Sequence, residues 1–163
     1  MRITAQEEYG LRCLIQLARQ PEGQGLTLKQ IGEREGISTA NAGKILWLLS
    51  NAGIVKSARG IKGGYMLARP ATQITVSEII SVFEHADLEE HCKNFSGIQE
   101  VCVHNADCGI RPVLQILNET VKQVLSQITL AQLVHHEGEV SRRLFQLQRA
   151  APSGAMPTGA ISV

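Results

Sequence analysis

Residues 27–51, "TLKQIGEREGISTANAGKILWLLSN", form the stretch whose reading decides the fold. Thr27 and Gln30 fit a capping box, in which two side chains each satisfy an orphan backbone N–H of a first helical turn. A short helix therefore opens there, carries Leu28, Ile31 and Gly32, and runs to about Glu35. "EGIS" (35–38) makes a turn, with Gly36 free to take a positive φ and Ser38 placed to cap the next helix. That helix, Ser38 to about Asn51, has Ile45, Leu46, Leu48 and Leu49 to bury toward its end, while its beginning, "STANAGK" (38–44), is small and polar. Two helices joined by a Gly-containing turn, the second fronted by small polar residues, match a helix-turn-helix. The reason is steric: a helix entering a major groove about 12 Å wide cannot lead with bulky side chains.

Outward from this pair the pattern continues. Upstream, Thr4 and Glu7 form another capping box, and Leu11, Leu14, Ile15 and Ala18 recur at helical spacing. Downstream, "GIVKSA" (53–58) and "GYMLA" (64–68) read as two short strands joined by "RGIKG" (59–63). Arg59 and Lys62, flanked by glycines, make a tight basic hairpin suited to the phosphate backbone or the minor groove, which is a wing. A phosphate-binding loop is the poorer reading of "RGIKGG", because no helix comes after it. Thr75 and Glu78 form a third box and open the helix "VSEIISVFEHA" (76–86), which closes the unit.

Charge supports a nucleic-acid partner for this half. Residues 1–70 hold ten Lys/Arg against five Asp/Glu, and residues 71–163 hold six against ten. The net charge of +1 thus hides a basic N-terminal half on an acidic remainder. No apolar run approaches the roughly 18 residues of a membrane span, and acids stand where a signal peptide would be apolar, so a cytoplasmic protein is expected. Reduced thiols then make a disulfide framework the less favoured use of the four cysteines. No nucleophile with a base, catalytic carboxylate pair or cofactor loop stands out, so an enzyme is not expected.

Pro112 suits the first turn of a later helix. Val113, Ile116, Leu117, Thr120, Val121, Val124, Leu125 and Ile128 come next at helical spacing, an apolar stripe too long for the small N-terminal unit to cover. A second copy is the natural mate, and a dimer would set two recognition helices about 34 Å apart on a palindromic site of double-stranded DNA. The expected fold is mainly α: a winged helix-turn-helix with a two-stranded wing plus a long dimerisation helix. The expected divisions are 1–86 (DNA-binding), 87–109 (a loop bearing cysteines), 110–148 (dimerisation helix and C-terminal helical segment) and a disordered tail, 149–163.

The blocks "MRITAQEEYGLRCLIQLA", "LTLKQIGEREGIS", "GIVKSARGIKGGYMLARP" and "ITVSEII" resemble those of the Rrf2 family of bacterial winged-helix transcription regulators, over roughly residues 1–135. The resemblance implies a homodimer that reads DNA through Ser38, Thr39, Ala40 and Asn41, with Lys44 on phosphate and Arg59 and Lys62 in the wing. Ala40 and Gly43 stand where the cluster-assembly branch of that family has polar side chains, so its operator does not transfer.

Cys92, Cys102 and Cys108 read as C-x9-C-x5-C. No closely spaced pair makes a zinc knuckle, and from the residues alone an iron-sulfur cluster, zinc, and reactive or idle thiols stay open. The family resemblance favours a cluster, [4Fe-4S] or [2Fe-2S], because many members carry one on three cysteines in this segment. The fourth ligand is not given by transfer, since Arg111 stands where the assembly branch has a histidine and a permanent cation cannot ligate iron. His91, His104 and Cys13 are candidates, as is a water or an external thiol; Cys13 lies off the main apolar stripe of its helix. Between the N-terminal acids, Glu7 is engaged by the Thr4 box whereas Glu8 has no such local task. Glu8 also matches the acidic residue that the nitric-oxide-sensing and redox-sensing branches contribute across the dimer, and it is the expected ligand. A carboxylate holds iron more weakly than a thiolate, which suits sensing. A cluster-free regulator that senses by thiol oxidation or a small ligand is the alternative within the family, and a small redox or metal-carrier protein the alternative outside it.

Overall fold

The structure, a computed structural model, describes residues 3–58, 64–83, 102, 104 and 107–150. Three helices come first: α1 (Ala5–Ala18), α2 (Leu28–Glu35) and α3 (Thr39–Asn51). Strands β1 (Val55–Ala58) and β2 (Gly64–Leu67) pair antiparallel, with Val55 opposite Leu67 and Ala58 opposite Gly64. A 3-10 turn (Ala71–Gln73) leads to α4 (Val76–Ser81), and later come α5 (Arg111–Ser126), α6 (Leu130–Leu133) and α7 (Glu137–Ala150). This is the expected winged helix, mostly helical with a two-stranded antiparallel wing.

Local chemistry starts these helices where the sequence places the starts. Thr4, Thr27 and Thr75 are N-caps with complete capping boxes, and Thr129 with Gln132 adds a fourth before α6. In the first, the Thr4 N–H donates to Glu7 Oε2 at 2.6 Å while the Glu7 N–H donates to Thr4 Oγ1 at 3.2 Å. Gly36 ends α2 in the left-handed region at φ 66°, a conformation that costs glycine little. Pro112 lies in the first turn of α5, as expected.

The apolar core draws on every element of the winged unit. Leu14 and Leu17 of α1, Ile31 of α2, Ile45, Leu46 and Leu49 of α3, Ile54 and Val55 at β1, and Ile79 and Phe83 around α4 form one buried cluster. The wing is stitched into it: the Leu26 N–H donates to the Tyr65 carbonyl at 2.9 Å, and the Tyr65 N–H to the Leu26 carbonyl at 2.8 Å.

Three details depart from expectation. First, the buried face of α1 is centred on Gly10, Cys13, Leu14 and Leu17, so Cys13 is fully buried and Leu11 and Ile15 are only half-buried. The cause is Phe83: a Cβ at Gly10 would sit 2.4 Å from its ring, so the missing side chain admits the aromatic and turns that side of α1 inward. Second, α5 is not the end of the packed structure. Thr129 forms an antiparallel bridge with Thr75, the Val76 N–H donates to the Ile128 carbonyl and the Leu130 N–H to the Ile74 carbonyl, both at 2.8 Å, and Leu130 is fully buried in the N-terminal core. Third, Leu48 is half-buried where Ile45, Leu46 and Leu49 are buried. The end of the fourth helix as read from sequence (84–86) and the tail from 151 lie outside the described residues.

Two consequences are testable. Truncating Leu130 to Ala removes a fully buried side chain and should cost about 2–5 kcal/mol of stability in urea unfolding; a cost below about 1 kcal/mol would show that α6 does not belong to the core. Glu78 caps Thr75 and pairs with Arg69, and these bonds hold its carboxyl below the usual 4.5. A lowered carboxyl pKa stabilises the fold above the unfolded value and loses that contribution as pH falls through the folded one. The melting temperature should therefore drop as pH is lowered from about 4.5, and Glu78→Gln, which keeps the cap, should flatten that drop.

Candidate nucleic-acid interface and cysteine segment

The start of α3 is laid open by its own periodicity. Ala42, Ile45, Leu46 and Leu49 face the core, and at about 100° per residue Ala40 and Lys44 fall on the opposite side, where both are exposed; Thr39, the first residue of the helix, is exposed as well. Ser38 is the N-cap, its hydroxyl accepting the Asn41 N–H at 3.2 Å, and the Asn41 side chain is half-buried on the flank. The structure thus gathers Ser38, Thr39, Ala40 and Asn41 into one leading turn, with Lys44 one turn above Ala40. No acid stands in the first turn of α3, in contrast to Glu7 and Glu8 of α1, so the positive end of its dipole is not offset locally. A small, capped, cation-bearing helix start can approach a phosphate-lined groove.

Arg59 and Lys62 lie outside the described residues; on either side of them in the sequence, Ala58 pairs with Gly64 at the end of the ladder. Two exposed residues of this region were not singled out from sequence. Lys56 projects from β1, and Trp47, 60% exposed, stands on the outward side of α3 in line with Ala40 and Lys44. The i, i+4, i+7 spacing from Ala40 was the available signal for Trp47.

The cysteine segment is described in part. Cys92 and His91 lie outside the described residues. Cys102 and Cys108 are free and half-buried, His104 is exposed, and the Cys108 carbonyl accepts the Arg111 N–H at 3.1 Å where α5 begins. Among the described residues no three His, Cys, Asp or Glu side chains gather as a metal site, so Glu8 does not join Cys102 and Cys108 within one copy.

The remaining ligand candidates separate by environment. Burial, with Glu35 adding to it, pushes the Cys13 thiol up to about 12, so it stays protonated at neutral pH and is a poor ligand. Glu7 is buried and held in its cap. Glu8 is exposed but, contrary to expectation, has a local partner: the i, i+4 spacing brings Arg12 Nη2 to 2.6 Å from Glu8 Oε1. An exposed pair of this kind is worth about 0–1 kcal/mol, too little to keep the carboxylate from a metal.

Known proteins share this fold. The family model Rrf2, described as an iron-dependent transcriptional regulator, matches residues 3–136. A Neisseria meningitidis serogroup A protein named as an HTH-type transcriptional regulator is 31% identical over 144 residues, covering 87% of this chain and 95% of that one. Among solved structures, IscR of T. potens superposes with a TM-score of 0.64 at 29% identity, covering 82% of this chain and 86% of its own. CymR, the global cysteine regulator of B. subtilis, gives 0.64 at 29% identity, covering 82% and 96%. The family match takes in every element from α1 to α6. The chain belongs to the Rrf2 family of transcriptional regulators.

Proposed function

We propose that this regulator is a homodimer that reads double-stranded DNA with the start of α3 and the wing, and that its affinity is set by an iron-sulfur cluster on Cys92, Cys102 and Cys108, completed by Glu8 of a second copy. The placement of α5 carries this reading. At one end the helix begins on the Cys108 carbonyl, and at the other it runs into Leu130 in the winged core. Whatever holds or releases the cysteines therefore acts on a rod seated in the DNA-binding unit.

The dimer is argued from the surface of that rod. Val113, Ile116, Leu117 and Val124 make an apolar row along α5, each about half exposed or more, and no residue of the helix is buried by the described residues of the single chain. Burying such a side chain contributes about 1.5–3 kcal/mol, so a matching row on a second copy is the favoured cover.

The donor set fits a cluster. Cys102 and Cys108 are free, partly exposed thiols with five residues between them, sulfur being what iron-sulfur clusters take. Glu8 offers an exposed oxygen near the start of α1. A cluster, when bound, supplies a redox-active and labile group at this point. The rest is done by the chain: Cys108 fixes the start of α5, and the Thr75–Thr129 bridge carries the helix's position to α4. The same free thiols support a second reading, a cluster-free regulator that responds to thiol oxidation.

Leu117→Glu places a charge in the apolar row and should convert the dimer to a monomer in sedimentation velocity; an unchanged sedimentation coefficient would remove α5 as the dimer seam. Protein purified without oxygen should carry iron and sulfide and absorb in the visible, and Cys102→Ala should abolish both. Glu8→Ala should bind iron yet lose it faster to a chelator. Affinity for a duplex recovered from a randomised pool should differ between loaded and stripped protein. Iron and sulfide absent after attempted reconstitution, with DNA affinity that still responds to peroxide, would replace the cluster by thiol oxidation.

A further inference from the structure

Trp47 is the one large apolar side chain on the outward face of α3, and at 60% exposure it is left uncovered by the described residues. Resting on the reading that α3 enters DNA, we infer that Trp47 is an additional DNA-contacting residue that seats on the sugar-phosphate wall of the major groove, its indole N–H donating to a phosphate oxygen.

Distance places it at the wall. Trp47 stands eight residues beyond Thr39, about 12 Å along the helix at 1.5 Å per residue, which is about the width of the groove. With the leading turn among the base edges, the third turn comes level with the backbone. The approach is open, because the outward positions below Trp47 are Ala40 and Lys44, a small residue and a flexible cation that a phosphate attracts, with Gly43 on the flank. A Cβ added at Gly43 would meet only the end of the Leu28 side chain, at 3.7 Å, so no bulk holds the helix off.

Charge chooses DNA over a second copy as the cover. Lys44 is exposed on the same face, three residues before Trp47, and the surrounding half of the chain holds ten Lys/Arg against five Asp/Glu. Two such faces would repel each other, whereas a polyanion neutralises them. The α5 row, which lacks that concentration of cations, already offers the second copy its surface. Tryptophan also suits a backbone wall: a flat apolar body lies on deoxyribose while a single donor reaches phosphate.

Trp47 is the only tryptophan in the chain, so its fluorescence reports this position alone. In full-length protein without DNA, acrylamide should quench it readily. On titration with the labelled duplex recovered from the randomised pool, anisotropy should rise and quenching should fall several-fold. Trp47→Ala should weaken binding about tenfold and Trp47→Phe, which keeps the ring and loses the donor, by less. Both factors should be the same for the selected duplex and a scrambled one. The salt slope should be unchanged in both variants, while Lys44→Ala should lower it by about one. Because the side chain is exposed, both variants should melt as the parent does. Quenching unchanged at saturating anisotropy, or already weak before DNA is added, overturns the inference. A loss confined to the selected duplex overturns the wall placement. Anisotropy that never rises overturns the DNA-binding reading itself, which is a separable result.

Discussion

The antiparallel bridge between Thr75 and Thr129 is the constraint on which the arrangement turns. Both residues are helix N-caps, so their backbones are extended and each offers the other a bridge partner, while the Thr75 hydroxyl accepts the Glu78 N–H and the Thr129 N–H donates to the Gln132 side chain. Two flanking hydrogen bonds at 2.8 Å then set Leu130 into the apolar core between α1 and the 3-10 turn. A chain that could have ended its folded unit near Phe83 returns to it some forty-five residues later. The long helix α5 is therefore held at its C-terminal end by the unit that carries α3.

That constraint gives α5 different surroundings at its two ends. Its C-terminal end is fixed by buried backbone hydrogen bonds, which exchange slowly and tolerate little displacement. Its N-terminal end rests on a turn at Cys108 with no side-chain cap, since Ile110 at the N-cap has no oxygen to offer. Pro112 lessens the deficit, because one of the orphan donors is simply absent. The weaker end is the one that carries the cysteines.

Much of this was legible in the sequence, and the reason is that the readable parts are local. A capping box is written in two residues three apart, and three such boxes give the starts of α1, α2 and α4; the box at Thr129 and Gln132 has the same spacing but was not singled out. The exposed start of α3 is likewise a matter of small residues in one turn. The unreadable parts depend on distant partners. Cys13 looked peripheral because Gly10 carries no side chain to reveal its side of α1, and only Phe83, seventy-three residues on, turns that side into core. Leu130 is one leucine among several until its bridge partner is known. Glu8 looked idle because its partner Arg12 is local but weak, a pair that leaves no strong pattern.

The two ends of α5 can be related by length alone. Sixteen residues at 1.5 Å give a rod about 24 Å long, so a tilt of a few degrees about the fixed end moves the other by roughly 1–2 Å. In the proposed dimer the relation also runs in reverse. If the seam between two α5 helices is the stationary part, the same tilt moves the winged units, and the spacing of two α3 helices matched to about 34 Å changes by a comparable amount. Hydrogen bonds to base edges lose most of their strength over less than about 1 Å of misplacement, so a displacement of this size is enough to separate bound from unbound geometry. A tightly seated C-terminal end makes this possible: a loose joint at Thr129 would absorb the tilt, whereas a bridge flanked by two buried hydrogen bonds transmits it.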